Sequence, residues 1–177
     1  PPARNNRVVH CRIARVKRAL NDGGAIYALG PQPGSRIASN VIDELGMDGG
    51  ASDDVGVTSG AAVYLDLGSG GFAVEDNVVL RVCEPCRWLS APDEFSVDIR
   101  ATRNWVKQGL LLVKAGDTKA GDVVKIRGRG QGAQDIVKLK RRRIDVAGNW
   151  KYDEQAAAAV VEAAGPRMGS ELALSPT

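Results

Sequence analysis

The densest positive charge in the chain runs from Gly121 to Arg143, with the sequence GDVVKIRGRGQGAQDIVKLKRRR. Its pattern predicts two short strands, Val123–Arg127 and Ile136–Lys140, joined by a glycine-rich loop and followed by three consecutive arginines. So dense a positive field on a hairpin is suited to contacts with the phosphates of a nucleic acid. The candidate nucleic-acid-binding residues of this hairpin are Lys125, Arg127, Arg129, Lys138, Lys140, Arg141, Arg142 and Arg143.

A second basic segment lies at the start of the chain, where residues 1–20 hold six Lys or Arg and no acid. Residues 21–124 are acidic by comparison, with fifteen Asp or Glu against eight Lys or Arg. The uneven charge is explained equally well by two basic segments that converge on one polyanion and by ordinary solvated surface. Trp105 and Trp150 could stack on bases, or could simply pack. The candidate contacts of the first segment are Arg12, Arg15, Lys17 and Arg18.

The sharpest local motif is Cys83-Glu84-Pro85-Cys86, which follows the apolar strand VVLRV. It resembles the redox turn of thioredoxin-like proteins, in which a Cys-x-Pro-Cys begins a helix and carries a thiol of lowered pKa. That resemblance implies that Cys83 is the attacking thiolate and Cys86 the resolving thiol. It covers about fifteen residues, and Pro92 would cut the following helix short.

The same pair could instead contribute two ligands to a zinc ion, with His10 and Cys11 completing a set of four. Adjacent residues on a strand point to opposite faces, so His10 and Cys11 have poor geometry for one metal. A third interpretation treats the thiols as small apolar packing groups. We therefore expect no resident metal or other cofactor.

The stretch Asp66-Leu67-Gly68-Ser69-Gly70-Gly71 resembles the cofactor loop of Rossmann-type methyltransferases, which implies a helix directly after the glycines. Only six residues separate Gly71 from the next strand, so a hairpin turn is the better interpretation. His10 is the single histidine of the chain, and no serine lies in a nucleophile elbow. The sequence thus favours a protein without catalytic activity.

The elements expected around these motifs are mostly short strands, because turn residues recur every 8–12 positions. A helix from Ser35 to Leu45 is predicted by the spacing of its apolar residues and by Gly46 at its end. An alanine-rich helix beginning after Asp153 and reaching Ala164 closes the chain. The predicted strands are Ala25–Leu29, Ala61–Leu67, Phe72–Val74, Val78–Val82, Phe95–Ala101, Leu110–Lys114, Val123–Arg127, Ile136–Lys140 and Ile144–Val146.

These elements predict an α+β fold, mainly antiparallel and sandwich- or barrel-like, with one internal helix and a C-terminal helix. We expect a basic N-terminal segment (1–24), a strand-rich globular domain (25–151) and a C-terminal helix with a tail (152–177). No apolar run is long enough to span a membrane, no signal peptide is evident, and the three cysteines favour a reducing compartment or an assembly.

The function expected from the sequence is a structural component of an assembly, ribonucleoprotein or capsid-like, that contacts RNA or DNA and sibling protein subunits. One alternative is a thiol redox or zinc-binding protein that uses Cys83 and Cys86. The other is a purely protein–protein structural subunit whose basic hairpin meets an acidic neighbour.

Overall fold

The computed structural model describes ten segments of the chain, and the statements below concern these residues. They are residues 3–18, 22–46, 60–83, 86–92, 95–107, 109–113, 137–139, 144–146, 149–151 and 153–164.

The described segments contain short strands, two strands of fifteen residues and one helix. The strands are β1 (Arg7–Val9), β2 (Arg12–Ala14), β3 (Gly24–Ala38), β4 (Val41–Asp43), β5 (Ala61–Glu75), β6 (Val78–Val79), β7 (Arg87–Ala91), β8 (Val97–Thr102), β9 (Trp105–Val106), β10 (Leu110–Val113), β11 (Val137–Leu139), β12 (Ile144–Val146) and β13 (Trp150–Lys151), and the helix is α1 (Glu154–Ala163).

The strands form two sheets, and the chain passes repeatedly from one to the other. The long sheet has the order β1-β3-β5-β8-β12-β11, with β7 bonded to β5 and β10, and the short sheet has the order β13-β9-β6-β4-β2. Every pairing between described strands is parallel except that of β11 with β12. Each passage through both sheets stacks on the previous one, which makes the fold a parallel β-solenoid. We call one such passage a rung.

The predicted antiparallel sandwich or barrel is therefore wrong. Turns spaced by 8–12 residues mark the corners of a solenoid as well as the hairpins of a sandwich, so turn spacing does not reveal strand direction. Among the described strands, the antiparallel pair β11 and β12 is the one local feature of the expected kind, and it lies at the end of the long sheet.

A column of asparagines stabilises the corner between the two sheets. The chain turns there through a residue with positive φ, such as Ser39 or Asp76, and the next residue enters the interior. Each asparagine Oδ1 accepts the backbone N–H of the equivalent residue in the preceding rung, at 3.0 to 3.1 Å. The column consists of Asn40, Asn77, Asn104 and Asn149 and ends at Cys11.

Apolar side chains from equivalent positions of successive rungs stack to form the core. In the long sheet Val8, Ile37, Val74, Ala101 and Val146 are in register from β1 to β12. The last four of these side chains are at most 2% exposed, and Val8 packs against them. Small and β-branched residues suit these stacked positions because each rung must accept the same narrow interior.

The predicted internal helix from Ser35 to Leu45 is wrong, since these residues end β3, turn at Ser39 and form β4. Ile37 and Ile42 both enter the core, from different sheets, and so imitate the apolar spacing of a helix. The C-terminal helix is confirmed as Glu154–Ala163. It packs on the outer side of the short sheet, in a cluster of Val41, Val78, Leu80, Trp105, Ala157, Val160, Val161 and Ala164.

The other sequence predictions have mixed outcomes. Strands occur within or overlapping the predicted ranges at Ala25–Leu29, Ala61–Leu67, Phe95–Ala101 and Leu110–Lys114, whereas the predicted strand Val123–Arg127 lies outside the described residues. Within the described segments, no helix has the length and apolar character required to cross a membrane.

Candidate polyanion-binding face

Two of the predicted contacts on the first rung, Arg12 and Arg15, are paired with other parts of the fold. Arg12 donates from Nη2 to the Val161 carbonyl of α1 at 2.9 Å, and its Nε is buried without a partner. Arg15 lies 4.0 Å from the Glu44 carboxylate. Arg18 is exposed.

Lys17 is also turned inward, where its Nζ donates to the Gly23 carbonyl at 3.2 Å. Burial lowers the pKa of Lys17, and the nearby charge of Asp22 opposes that change. Arg12, Arg15 and Lys17 therefore have structural partners, which the sequence pattern did not indicate.

Most of the predicted basic hairpin lies outside the described residues, namely Lys125, Arg127, Arg129, Lys140, Arg141, Arg142 and Arg143. The strand that carries Lys138 is present as β11, and its partner is β12, with Lys138 opposite Asp145.

The described parts of the two basic segments that belong to the long sheet, Arg7 on β1 and Lys138 on β11, lie at opposite ends of it. β1 begins the sheet, and β12 with β11 ends it. Four strand spacings of roughly 4.8 Å separate β1 from β12 by about 19 Å. A ligand that reached both would have to be extended and to run across the rungs.

Arginines that the sequence analysis did not select lie between these ends on the outer surface of the long sheet. Arg7, Arg36 and Arg100 occupy one register row, with Ala73 between the last two and Asp145 at its end. All three guanidinium side chains are exposed, Arg36 by 45% and Arg100 by 61%. These arginines can be recognised as a row only when the register of the paired strands is known.

A buried carboxylate fixes the arginines beside this row. Glu75 is 5% exposed and bonds to Arg100, and its Oε2 lies 3.3 Å from Arg36 and 3.7 Å from Arg103. Arg103 also donates two hydrogen bonds of 2.8 Å to Asp76, and these raise its pKa against a smaller effect of burial. We call Arg7, Arg36, Arg100 and Arg103, with Glu75 and Asp76, the arginine face. Its four cations exceed these two anions and the Asp145 carboxylate at the end of the row, so its net charge is positive.

The other sequence candidates have different positions. Trp105 packs beside α1, and Trp150 lies on β13, opposite Trp105 in the short sheet. Cys83 and Cys86 form a disulfide, whereas Cys11 is free and exposed. His10 and Cys11 lie at the asparagine corner. The disulfide lies at a different corner, between β6 and β7. Among the described residues no group of three or more His, Cys, Asp or Glu is placed to hold a metal ion.

The two family resemblances do not extend to the structure. A strand, β7, follows Cys86 where a thioredoxin-like protein would have a helix. The glycine motif from Asp66 to Gly71 lies inside β5, with no helix after it, so it is not the cofactor loop of a methyltransferase. The expected hairpin turn is also absent, because β5 continues through the motif and pairs in parallel with β3 and β8.

The chain is a parallel β-solenoid whose long sheet carries arginines on its outer surface. No protein-family model, curated protein or solved structure matches the chain.

An exposed apolar corner lies at the bend in the middle of β3 and β5. Leu67 is 68% exposed and has a positive φ, and Phe95, 71% exposed, lies against Gly68. Tyr27 contacts Tyr64 edge to face with ring centroids 5.2 Å apart. The sequence analysis did not select this corner, because its residues are distant in the chain.

We expect Tyr27 to titrate abnormally, because its hydroxyl donates to Asp66 Oδ2 at 2.8 Å. That hydrogen bond, with smaller contributions from desolvation and nearby charges, raises the pKa of Tyr27 to about 12. The raised pKa stabilises the folded chain fully below about pH 10, and this contribution is lost as the pH rises through 12. Asp66→Asn should return the Tyr27 pKa towards 10 in a titration followed by carbon-13 NMR of the ring. Asp22→Asn, which removes a distant charge only, should change it less, and equal shifts would contradict the assignment.

Proposed function

We propose that this protein is a non-catalytic component of an assembly that binds a nucleic-acid strand along the arginine face. The observation that carries the proposal is the register row of Arg7, Arg36 and Arg100 beside the buried carboxylate of Glu75. Guanidinium groups bind phosphate through several N–H donors, and a fixed row of them suits a ligand whose charges repeat along a chain.

The arrangement favours phosphate contact over base recognition. Glu75 contacts one Nη2 atom in each of three guanidinium groups. The side chains of Arg36 and Arg100 are 45% and 61% exposed, so their other N–H groups are open to a ligand. Fixed side chains lose less conformational entropy on binding than free ones. Contacts of this kind position a strand without reading its sequence, so we expect little sequence preference.

The direction of the row indicates how the strand would lie. The row crosses the rungs from Arg7 on β1 to Arg100 on β8. A strand lying along it would therefore run across the rungs and contact one arginine side chain in each of three rungs. Nucleic acid is thus still the expected partner, but the contacts are assigned to arginines that were not among the residues predicted from the sequence.

The test is the salt dependence of binding to a fluorescent single-stranded RNA or DNA of mixed sequence between 50 and 200 mM salt. Three phosphate contacts should give a slope of about −2 in log K against log salt, since each contributes roughly 0.7. Arg36→Gln should flatten the slope by about 0.7 and weaken binding several-fold, equally for unrelated sequences.

Arg81→Gln is the matched control, because the Arg81 side chain is also 45% exposed but is paired with Asp43 and Glu44, away from the arginine face. It should leave the slope unchanged. Equal losses in the two variants, or an absent salt response, would overturn the proposal. Selective binding of polyglutamate over nucleic acid would overturn it in favour of an acidic protein partner.

A further inference from the structure

The disulfide between Cys83 and Cys86 closes the corner where the third rung leaves the short sheet and returns to the long sheet. The backbone is held on both sides, since Cys83 N–H donates to Leu45 and Arg87 N–H donates to Gly60, at 2.8 and 2.9 Å. Cys86 N–H donates to the Cys83 carbonyl at 2.6 Å, which makes the turn tight. The two sulfur atoms are thus held in place by neighbouring rungs.

The two cysteines differ in their exposure to solvent. Cys86 is 5% exposed and belongs to the core cluster, whereas Cys83 is partly buried at the edge of that cluster. An external thiolate must approach the sulfur it attacks, and the other sulfur leaves as a thiolate. The geometry therefore makes the Cys83 sulfur the attacked atom and the Cys86 sulfur the leaving atom. Cys83 remains the cysteine that reacts with the external thiol, as the thioredoxin-like resemblance implied, but here electrons flow into the disulfide.

A lysine borders the leaving sulfur. A β-carbon placed on Gly60 would lie 3.2 Å from the Cys86 sulfur and 3.6 Å from Lys17 Nζ, so the two atoms enclose the same small space. The ammonium group is anchored there by its hydrogen bond to the Gly23 carbonyl. A fixed cation beside a sulfur stabilises the thiolate and makes it a better leaving group.

We propose that Cys83 and Cys86 form a thiol-exchange site that accepts electrons from dithiols, with Lys17 as the residue that stabilises the Cys86 thiolate. In the first step a dithiol thiolate attacks Cys83, the Cys83–Cys86 bond breaks, and Cys86 leaves with the electron pair. In the second step the other thiol of the reductant, deprotonated by solvent, attacks its own sulfur in the mixed disulfide. This step releases the Cys83 thiolate and leaves the reductant as a cyclic disulfide. Two electrons pass to the protein, and both cysteines then take protons from solvent.

The first experiment locates the reactive sulfur in a Cys11→Ser background, which removes the free exposed thiol. Cys86→Ser leaves Cys83 alone, and Cys83→Ser leaves Cys86 alone. With oxidised glutathione, followed by mass spectrometry, Cys83 should form its adduct about tenfold faster or more, because it is the accessible sulfur. Equal rates, or faster reaction of Cys86, would overturn the proposal.

The second experiment tests Lys17, with the disulfide intact in the same background. The rate of reduction by dithiothreitol should fall about 3- to 10-fold in Lys17→Met and stay within roughly twofold in Lys17→Arg, which keeps the charge. Gly60→Ala, which places a methyl group between the two atoms, should also slow reduction.

Far-ultraviolet circular dichroism and the measured unfolding rate separate these effects from loss of structure. Reduction that proceeds only as fast as unfolding, or that is unchanged in Lys17→Met, would show that the disulfide is purely structural. If Lys17→Met does not fold, the comparison of Gly60→Ala with Lys17→Arg and the location of the glutathione adduct still decide the matter. None of these variants alters the arginine face, so nucleic-acid binding can fail independently.

Discussion

Asn77→Ala is expected to lower the free energy of unfolding by about 3–5 kcal/mol, among the largest effects of any polar substitution in this chain. The Asn77 Oδ1 accepts from both the backbone and the side-chain amide of Asn40, at 3.1 and 2.9 Å. Its Nδ2 donates to the Ile37 carbonyl at 3.0 Å and to Asn104 Oδ1 at 2.8 Å. Alanine would remove a buried hydrogen bond from each of these four groups, in the rungs on both sides of Asn77 at once.

The measurement is urea unfolding at equilibrium, with Asn6→Ala as the control. Asn6 donates one exposed hydrogen bond from its side chain, to Gln32, and its loss should cost less than about 1 kcal/mol. Asn77→Asp sharpens the test, because it keeps the acceptor and removes both donors. It should be at least as destabilising as alanine. A cost for Asn77→Ala no larger than that for Asn6→Ala would contradict the role given to the column.

Gly71→Ala is the second substitution with a large expected effect, about 3 kcal/mol or more. Gly71 has a φ of 78°, and a β-carbon there would lie 2.5 Å from the Pro33 Cα of the preceding rung. Backbone atoms of a packed strand cannot move aside as the end of a side chain can. The glycine is required by the close approach of two rungs, which explains part of the glycine motif in β5.

Gly30→Ala is the matched control, since Gly30 has a φ of 69° and no atom within 4 Å of the added carbon. It should cost only the left-handed backbone strain of about 1 kcal/mol. Thermal unfolding of both variants isolates the close contact as the difference between them. If the two substitutions cost the same, the contact with Pro33 does not constrain the fold.

The positions of most strands could be predicted from the sequence, because β-branched runs bounded by glycine and proline are local signals. The direction of pairing could not. Successive members of the asparagine column are 37, 27 and 45 residues apart, so the rungs have no constant period in the sequence. A single asparagine after a turn residue is also an ordinary loop pattern, and it acquires meaning only when it stacks.

In the candidate sites, too, local motifs could be predicted from the sequence and contacts between distant residues could not. The Cys83–Cys86 motif is local and was recognisable, but its neighbour Lys17 belongs to another rung. Arg36 and Arg100 are 64 positions apart and come together only through their common partner on β5, Glu75. Charge density along the chain selects runs of basic residues, whereas a solenoid builds its surfaces from one residue in each rung.

The hydrogen bond from Arg12 to the Val161 carbonyl has a consequence for how the molecule unfolds. Stacked rungs contact only their neighbours, so an array of this kind can lose its end rungs one at a time. Here the bond joins residues 149 positions apart and ties the first rung to the last helix. With α1 also packed on Val41 and Val78 of the rungs between, opening either end disturbs the other. The fold thus gains cooperativity from a contact that its repeating architecture does not provide.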